Sequence, residues 1–441
     1  MSNRVISSAI LNPEPDARWT FYPSGALVVE DGRIIGVGDA AIVKAEYPDP
    51  VVDVIHLDGV IVPGFVDLHC HWVQHAMRGA FGGDLLHWLQ NDIWPEEAQY
   101  ANEDLARLRA REFYDDMLRA GTVMGMSFSS VHDRATEIAF EEMRGDWIIG
   151  NVLMAVNAPA ALTSCSMHRE SALRTYSSLR SQEQYAVTPR FAPNMRAQDL
   201  SVAGRVAQDG NYFVQTHLAE SRSEVAWVKE LFPEAENYTD VYDRAGLLGP
   251  KTILGHCIEM SDAEWACLAD RGSWVAHCPT SNEALGNARM RLEKLREFHV
   301  PFALASDVGA GPSHSMLHVM QRFLAVHDES GVKVTAAEAL YRATLAGAQA
   351  MGRSQVAGNF APGKRADFVL FPGKPEEREL DGWFNEICQG SLAEFEERPS
   401  AVFLAGEELQ LRGDFGTKIA SVETGKIHSR VSFGNAEQDM S

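Results

Sequence analysis

From residue 59 to about 350 the chain repeats one rhythm of apolar strand, loop and helical segment, which limits the available folds more than any other feature. The first strand candidate runs from Val60-Ile61-Val62 into Gly64-Phe65-Val66-Asp67-Leu68-His69-Cys70-His71. Thr122–Phe128, Trp147–Val156, Tyr185–Thr188, Tyr212–His217, Thr252–His256, Ser273–His277 and Val300–Asp307 follow. Helical periodicity separates them, as in Glu103–Ala120, which Gly121 terminates, and in Asp262–Asp270 and Arg291–Phe298. Eight such units over roughly 250 residues are what a (β/α)8 barrel of the TIM type requires. An open doubly wound sheet is the alternative.

The ends of the strands favour closure. His69 and His71 stand two apart on a strand, so both imidazoles project from the same face. His217, His256 and Asp307 end the fifth, sixth and eighth strands. A barrel places its chemistry at the C-terminal ends of its strands, and an open sheet would hold these residues too far apart to meet. A single histidine at a strand end is ordinary; five ligand-type residues at one end of a barrel point to a metal. Imidazole and carboxylate donors suit Zn²⁺ and are compatible with Fe²⁺ or Mn²⁺.

Outside the barrel the pattern is β-like. Ala26–Val29 and Ile34–Gly38 flank Asp31-Gly32, a hairpin signature, and Phe368–Phe371 and Val402–Gly406 read as strands near the other end. The expected organisation is a small composite β-sandwich domain from both chain ends, residues 1–58 and 356–415, around a barrel at 59–355, with a tail at 416–441. A formal charge of −22 argues against a nucleic-acid groove or an anionic membrane surface, both of which need clustered Lys and Arg. No apolar run approaches the ~20 residues of a membrane helix, and the N-terminus lacks a signal-peptide core. Six cysteines without framework spacing suggest reduced thiols. The expected setting is the cytoplasm, and the expected assembly a homodimer.

Pro63-Gly64-Phe65-Val66-Asp67-Leu68-His69-Cys70-His71 resembles the signature of the amidohydrolase superfamily, and the chain is similar to guanine deaminases within it. The likeness is carried further by Gln74, Leu85–Leu89, Trp94-Pro95-Glu96-Glu97, Thr188–Pro193, Gln215–Glu220, His277–Asn282 and Asp307–Gly311. It implies deamination of guanine to xanthine and ammonia. The metal would be held by His69, His71, His217 and Asp307, and would lower the pKa of its bound water to near 7, giving a hydroxide nucleophile. Glu220, three residues past His217, would move the water's proton to a ring nitrogen. His256 would orient the nucleophile, and Asp307 would carry the second proton to the leaving ammonia. Two-metal members of the superfamily bridge their ions through a carboxylated lysine on the fourth strand; Arg190 stands there instead, which implies one ion per chain. By the same likeness Arg190 contacts the substrate carbonyl and Gln74 the ring edge, while Phe191 either stacks on the heterocycle or packs in the core.

Two stretches depart from the guanine deaminase pattern: Met154–Pro159, and Glu283 with Arg289 and Arg291. If they face the pocket, the reaction type stands but the ring is open, and a pterin, 8-oxoguanine or a triazine becomes an alternative to guanine. A non-catalytic scaffold is a further alternative, weakened by the retention of every ligand and of Glu220. His168-Arg169-Glu170 imitates the His-x-Glu of another zinc deaminase class, but the required Pro-Cys-x-x-Cys is missing. His277 is expected either to support the site from behind the ligands or to pack, and His75, His87, His132 and His314 are candidates for the pocket mouth.

Overall fold

In the computed structural model, which describes residues 3–47, 53–80, 85–163 and 169–410, four strands open the chain. They are β1 (Asn3–Pro13), β2 (Trp19–Glu30), β3 (Arg33–Asp39) and β4 (Asp53–Pro63). The barrel strands follow as β5 (Phe65–His71), β6 (Thr122–Phe128), β7 (Asp146–Gly150), β8 (Val152–Leu153) and β9 (Ala186–Pro189). Then come β10 (Phe213–Leu218), β11 (Thr252–His256), β12 (Trp274–His277) and β13 (Phe302–Leu304). β14 (Phe368–Phe371), β15 (Ala401–Leu404) and β16 (Glu407–Glu408) close the series. The described residues up to Leu409 form one compact unit. The expected tail at 416–441 lies outside the described residues.

Strands from both chain ends share one sheet of seven, ordered β16-β15-β14-β4-β1-β2-β3. At the β2–β3 turn Asp31 and Gly32 take φ of 49° and 76°, the two left-handed positions of a tight hairpin. The sheet folds back on itself. Ile34 N donates to Lys364 O (2.8 Å) and Ala366 N to Gly32 O (2.9 Å), joining β3 to the segment entering β14. Ile6, Leu27, Val29, Ile61, Phe368 and Phe403 fill the space enclosed, so a sandwich is made from one curled sheet.

Val60-Ile61-Val62 does not belong to the histidine-bearing strand, contrary to the sequence expectation. It lies in β4, where Ile61 pairs with Leu370 of β14. The change of sheet happens within one residue: Gly64 N donates to Asp367 O (3.1 Å), and Phe65 N to Gly121 O (2.9 Å). A side chain at Gly64 would meet Val123, since an added Cβ would lie 2.4 Å from its Cγ2.

The barrel strands pair in parallel as β5-β6-β7 and β8-β9-β10-β11-β12-β13. β7 and β8 are one strand interrupted at Asn151, whose Oδ1 accepts from Tyr185 (2.6 Å), which gives the eight strands of a (β/α)8 barrel. Backbone bonds bridge the two places where the ladders break: Ile149 N to Gln184 O (2.9 Å) on one side, Asp307 N to His69 O (2.9 Å) on the other. β5 and β6 are buried at every residue, as strands covered on both faces must be. The helix Glu103–Arg119 starts under an Asn102 cap and ends before Gly121 (φ 89°), and Asp262–Arg271 opens with a Ser261/Glu264 capping box. The eighth strand is regular only at Phe302–Leu304; the chain then turns, with Asp307 at φ 49°. His256 ends β11 at φ 70°. Both residues pay for a left-handed backbone at the barrel mouth, a cost tolerated where side-chain placement matters.

Candidate active site

The five ligand-type residues meet. One ligand atom each of His69, His217, His256 and Asp307 lies within 4.8 Å of the others. His71 joins them: its Nε2 stands 3.2 Å from His217 Nε2 and 3.4 Å from Asp307 Oδ1, and His69 Nε2 is 3.4 Å from the same oxygen. Phe128, at the end of β6, packs against the rings of His69, His71 and His217 at 4.9, 4.7 and 4.7 Å between centroids.

This donor set fits a cation. His217 Nδ1 faces the Arg190 carbonyl at 2.7 Å, so it carries the proton and leaves Nε2 a bare lone pair. His256 Nδ1 faces Asn282 Oδ1 at 2.9 Å with the same consequence. The Nε2 atoms of His69 and His256 are buried and have no hydrogen-bond partner among the described residues. Ligands about 2.0–2.1 Å from a tetrahedral ion stand about 3.3–3.4 Å apart. The His71–His217, His69–Asp307 and His71–Asp307 spacings match that edge, whereas His256 Nε2 lies 3.8 Å from the other Asp307 oxygen, Oδ2. Burial lowers the His71 imidazole to about 4 and holds His217 well below its ordinary value, which keeps both neutral and able to ligate. Burial pushes the Asp307 carboxyl up, yet the rings of His69 and His71 bring it well below the usual carboxylate value. Asp67 ties the last strand to β5: its carboxylate accepts from Ser306 N (2.9 Å) and from the Ser306 hydroxyl.

A cavity opens beside the cluster. All the expected substrate contacts, Gln74, Arg190 and Phe191, line it together with Glu220 and His256. Leu85, Trp88, Leu89, Leu285 and Ala310 supply the apolar wall. Glu220 Oε1 accepts from Asn287 Nδ2 at 3.0 Å, and Oε2 is 3.5 Å from His256 Nε2. Burial, helped by Asp307 and Glu224, pushes the Glu220 carboxyl well above its ordinary value, the tuning a proton carrier needs. Arg190 is no surface ion pair. It is buried and donates to Glu97 Oε2 at 2.6 Å, while Gln74 Nε2 donates to Glu97 Oε1 at 2.8 Å. Phe191 packs edge-on to Trp227, centroids 6.1 Å apart.

The departures from the family pattern stay out of the pocket among the described residues. Glu283 pairs with Arg322 (2.8 Å), Arg289 with Glu293 (2.9 Å), and Arg291 donates to Met260 O. Their segment sends Leu285 into the cavity instead, and none of Met154–Pro159 lines it. His75 and His314 lie against Asp116 and Glu396 (3.4 and 3.3 Å), and neither they nor His87 and His132 line the cavity. His277 packs against Phe302 and Phe323, as expected. His168 lies outside the described residues. Sequence reasoning gave no role to Glu97, Asn282, Asn287, Leu285 or Phe128; the motifs around Glu97 and Asn282 were its nearest signal.

A family model described as "Amidohydrolase family" matches residues 60–408. This chain belongs to the amidohydrolase family. The match spans every residue of the cluster and cavity described above. A second model, "Imidazolonepropionase-like composite domain, bacteria", matches residues 25–49. Among curated relatives, the guanine deaminase of Escherichia coli K12 is 35% identical over 373 residues, 83% of this amidohydrolase and 85% of the relative. A guanine deaminase crystal structure from Bradyrhizobium japonicum superposes with a TM-score of 0.86 at 27% identity, covering 93% of this chain and all of that one. One from C. acetobutylicum with guanine bound in its active site gives 0.80 at 26% identity, over 92% and 100% of the two chains. Among its described residues this amidohydrolase has no helix long and apolar enough to cross a membrane.

Proposed function

We propose that this amidohydrolase is a hydrolytic deaminase that converts guanine and water to xanthine and ammonia. The observation that carries the reading is the meeting, in one buried cavity, of a histidine–aspartate donor cluster with Glu220, Arg190, Gln74 and Phe191. His69, His71, His217 and Asp307 would hold one divalent ion, proposed to be Zn²⁺. What such an ion supplies when bound is a water acidic enough to lose a proton near pH 7.

The protein's own groups do the rest. Arg190 and Gln74 hold the carbonyl and ring edge, Phe191 flanks the heterocycle, and the apolar wall excludes bulk water. Glu220 takes a proton from the attacking water and passes it to the ring nitrogen beside the amino-substituted carbon, which raises that carbon's electrophilicity. His256, its Nδ1 pinned by Asn282, presents Nε2 toward the reacting oxygen. Asp307 hands the second proton to the amino group, which leaves as ammonia while the carbonyl of xanthine forms.

The deciding experiment is ammonia release from guanine, 8-oxoguanine, isoxanthopterin and an aminated triazine, assayed side by side. Guanine is expected to be the best substrate, because the segment carrying Glu283 presents apolar Leu285 to the ring. An inert guanine beside a rapidly turned-over pterin or triazine would reject the assignment. Metal analysis of the purified protein is expected to return one zinc per chain; no stoichiometric metal would point to a scaffold. A homodimer in the cytoplasm is also proposed, and the mass in solution checks the first part. The division into a barrel between two parts of a composite β domain is proposed as well, the barrel running to about 355 as expected but starting at Gly64, after β4, and not at 59; limited proteolysis is its check.

A further inference from the structure

Glu97 touches neither the donor cluster nor the cavity surface, yet it binds two residues that do. It lies at the end of the helical run whose Leu85, Trp88 and Leu89 wall the cavity. Its side chain is 3% exposed, and it takes Gln74 Nε2 on one oxygen and Arg190 Nη1 on the other, at 2.8 and 2.6 Å. Gln74 follows β5 and Arg190 follows β9, so one carboxylate links three separate segments, two of which line the pocket.

A carboxylate only accepts hydrogen bonds, whereas a side-chain amide can turn either its oxygen or its NH₂ toward a partner. Facing Glu97, Gln74 has one choice: it must present NH₂, and its Oε1 is left without a partner among the described residues. Arg190, which has no acceptor at all, spends one N–H on Glu97 and keeps the rest of its fork. We propose that Glu97 is a positioning residue that sets the polarity of this pair, so that the pocket offers one acceptor (Gln74 Oε1) beside donors (Arg190). The matching ligand edge is a cyclic lactam, a ring N–H adjacent to a carbonyl. A ring without a carbonyl leaves Arg190 unanswered. The reverse edge, a bare ring nitrogen beside an amino group, sets lone pair against lone pair and donor against donor.

This inference rests on the reading of Arg190 and Gln74 as substrate contacts, but its test does not require turnover. Hypoxanthine carries the lactam and no amino group to lose; purine lacks the lactam. Dissociation constants for both are measured by calorimetry on the metal-loaded wild-type protein and on Glu97→Gln, with metal content and melting temperature recorded alongside. The wild type is expected to prefer hypoxanthine by tenfold or more. Glu97→Gln frees the Gln74 amide to turn, so that preference should collapse at least tenfold, through weaker hypoxanthine binding, at unchanged metal content. Glu97→Asp restores an acceptor-only partner and should recover the preference. An unchanged preference in Glu97→Gln, or equal loss of both ligands, overturns the role. Should Glu97→Gln not fold, a structure of the wild type with hypoxanthine decides: a ring carbonyl seated on Gln74 Nε2 in place of Arg190 overturns it. Failure of the deaminase reading shows separately, as no ammonia from guanine in a protein that still prefers the lactam.

Discussion

Asn287 donates to Oε1 of Glu220 at 3.0 Å, which leaves Oε2, 3.5 Å from His256 Nε2, as the carboxylate oxygen that faces the donor cluster. Glu220→Gln keeps the shape and the bond's geometry but cannot carry a proton. It should retain one metal per chain and lose about 10²–10⁴-fold in kcat, measured as ammonia release beside metal analysis. Full activity in that variant would sink the proton-transfer role. Asn287→Ala, which only frees the carboxylate to rotate, should cost less and leave KM nearly unchanged.

His256 is prepared by Asn282 in the same way. The amide oxygen at 2.9 Å fixes the tautomer, so the lone pair sits on Nε2 and faces Glu220 and Asp307. Partners that orient a site's imidazole are typically worth about 10–100-fold in activity or metal affinity. Asn282→Ala should lose activity in that range, and Asn282→Asp, which still accepts from Nδ1, should recover part of it. Equal losses in the two variants would mean that Asn282 serves packing alone.

The two predictions separate what the sequence can reveal from what it cannot. His69, His71, His217, His256 and Asp307 were legible because strand periodicity alone says which residue stands at a strand's end, and the barrel then decides that the ends meet. The Asp31-Gly32 hairpin was legible for a similarly local reason. Asn287 and Glu97 were not. Their partners lie 67 residues away in one case, and 23 and 93 in the other, and no periodicity encodes a hydrogen bond across such gaps. Val60–Val62 misled because a run of apolar residues suits any strand buried on both faces. The decision that it joins the composite sheet rests on the partner switch between Gly64 and Phe65, a tertiary fact. Glu283 misled in the opposite direction: the residue that departs from the pattern turns outward to Arg322, and its neighbour Leu285 faces the pocket.

His277 and His327 meet through their Nε2 atoms at 3.1 Å. Burial, reinforced by Arg289, lowers the His327 imidazole to about 4, and burial with His327 holds His277 well below its ordinary value. In the unfolded chain His327 takes up a proton near pH 6.5, so the unfolded state binds more protons between that value and about 4. Stability from this pair is therefore present above pH 6.5 and lost as the pH falls through about 4. The melting-temperature advantage of the wild type over His327→Gln should be largest near pH 7 and shrink steadily toward pH 4. A gap that stays constant, or widens in acid, would show that the histidine is not held neutral.

Removing the metal tests the cluster as a whole. His71 Nε2 and His217 Nε2 stand 3.2 Å apart, and His217 Nε2 has no proton to offer because Nδ1 bonds the Arg190 carbonyl. Beside them the buried Asp307 carboxylate has two imidazole Nε2 atoms at 3.4 Å from one oxygen. Such a group of acceptors is stable only when a cation sits among them. A ligand present at about 1,000 times its dissociation constant stabilises the folded state by about 4 kcal/mol. Dialysis against a chelator should therefore lower the melting temperature by several degrees and abolish ammonia release, and one equivalent of Zn²⁺ per chain should restore both. Recovery that needs two equivalents would contradict the single-ion site, which rests on Arg190 occupying the fourth-strand position. Turnover that survives with metal far below one equivalent would remove the cluster from the chemistry altogether.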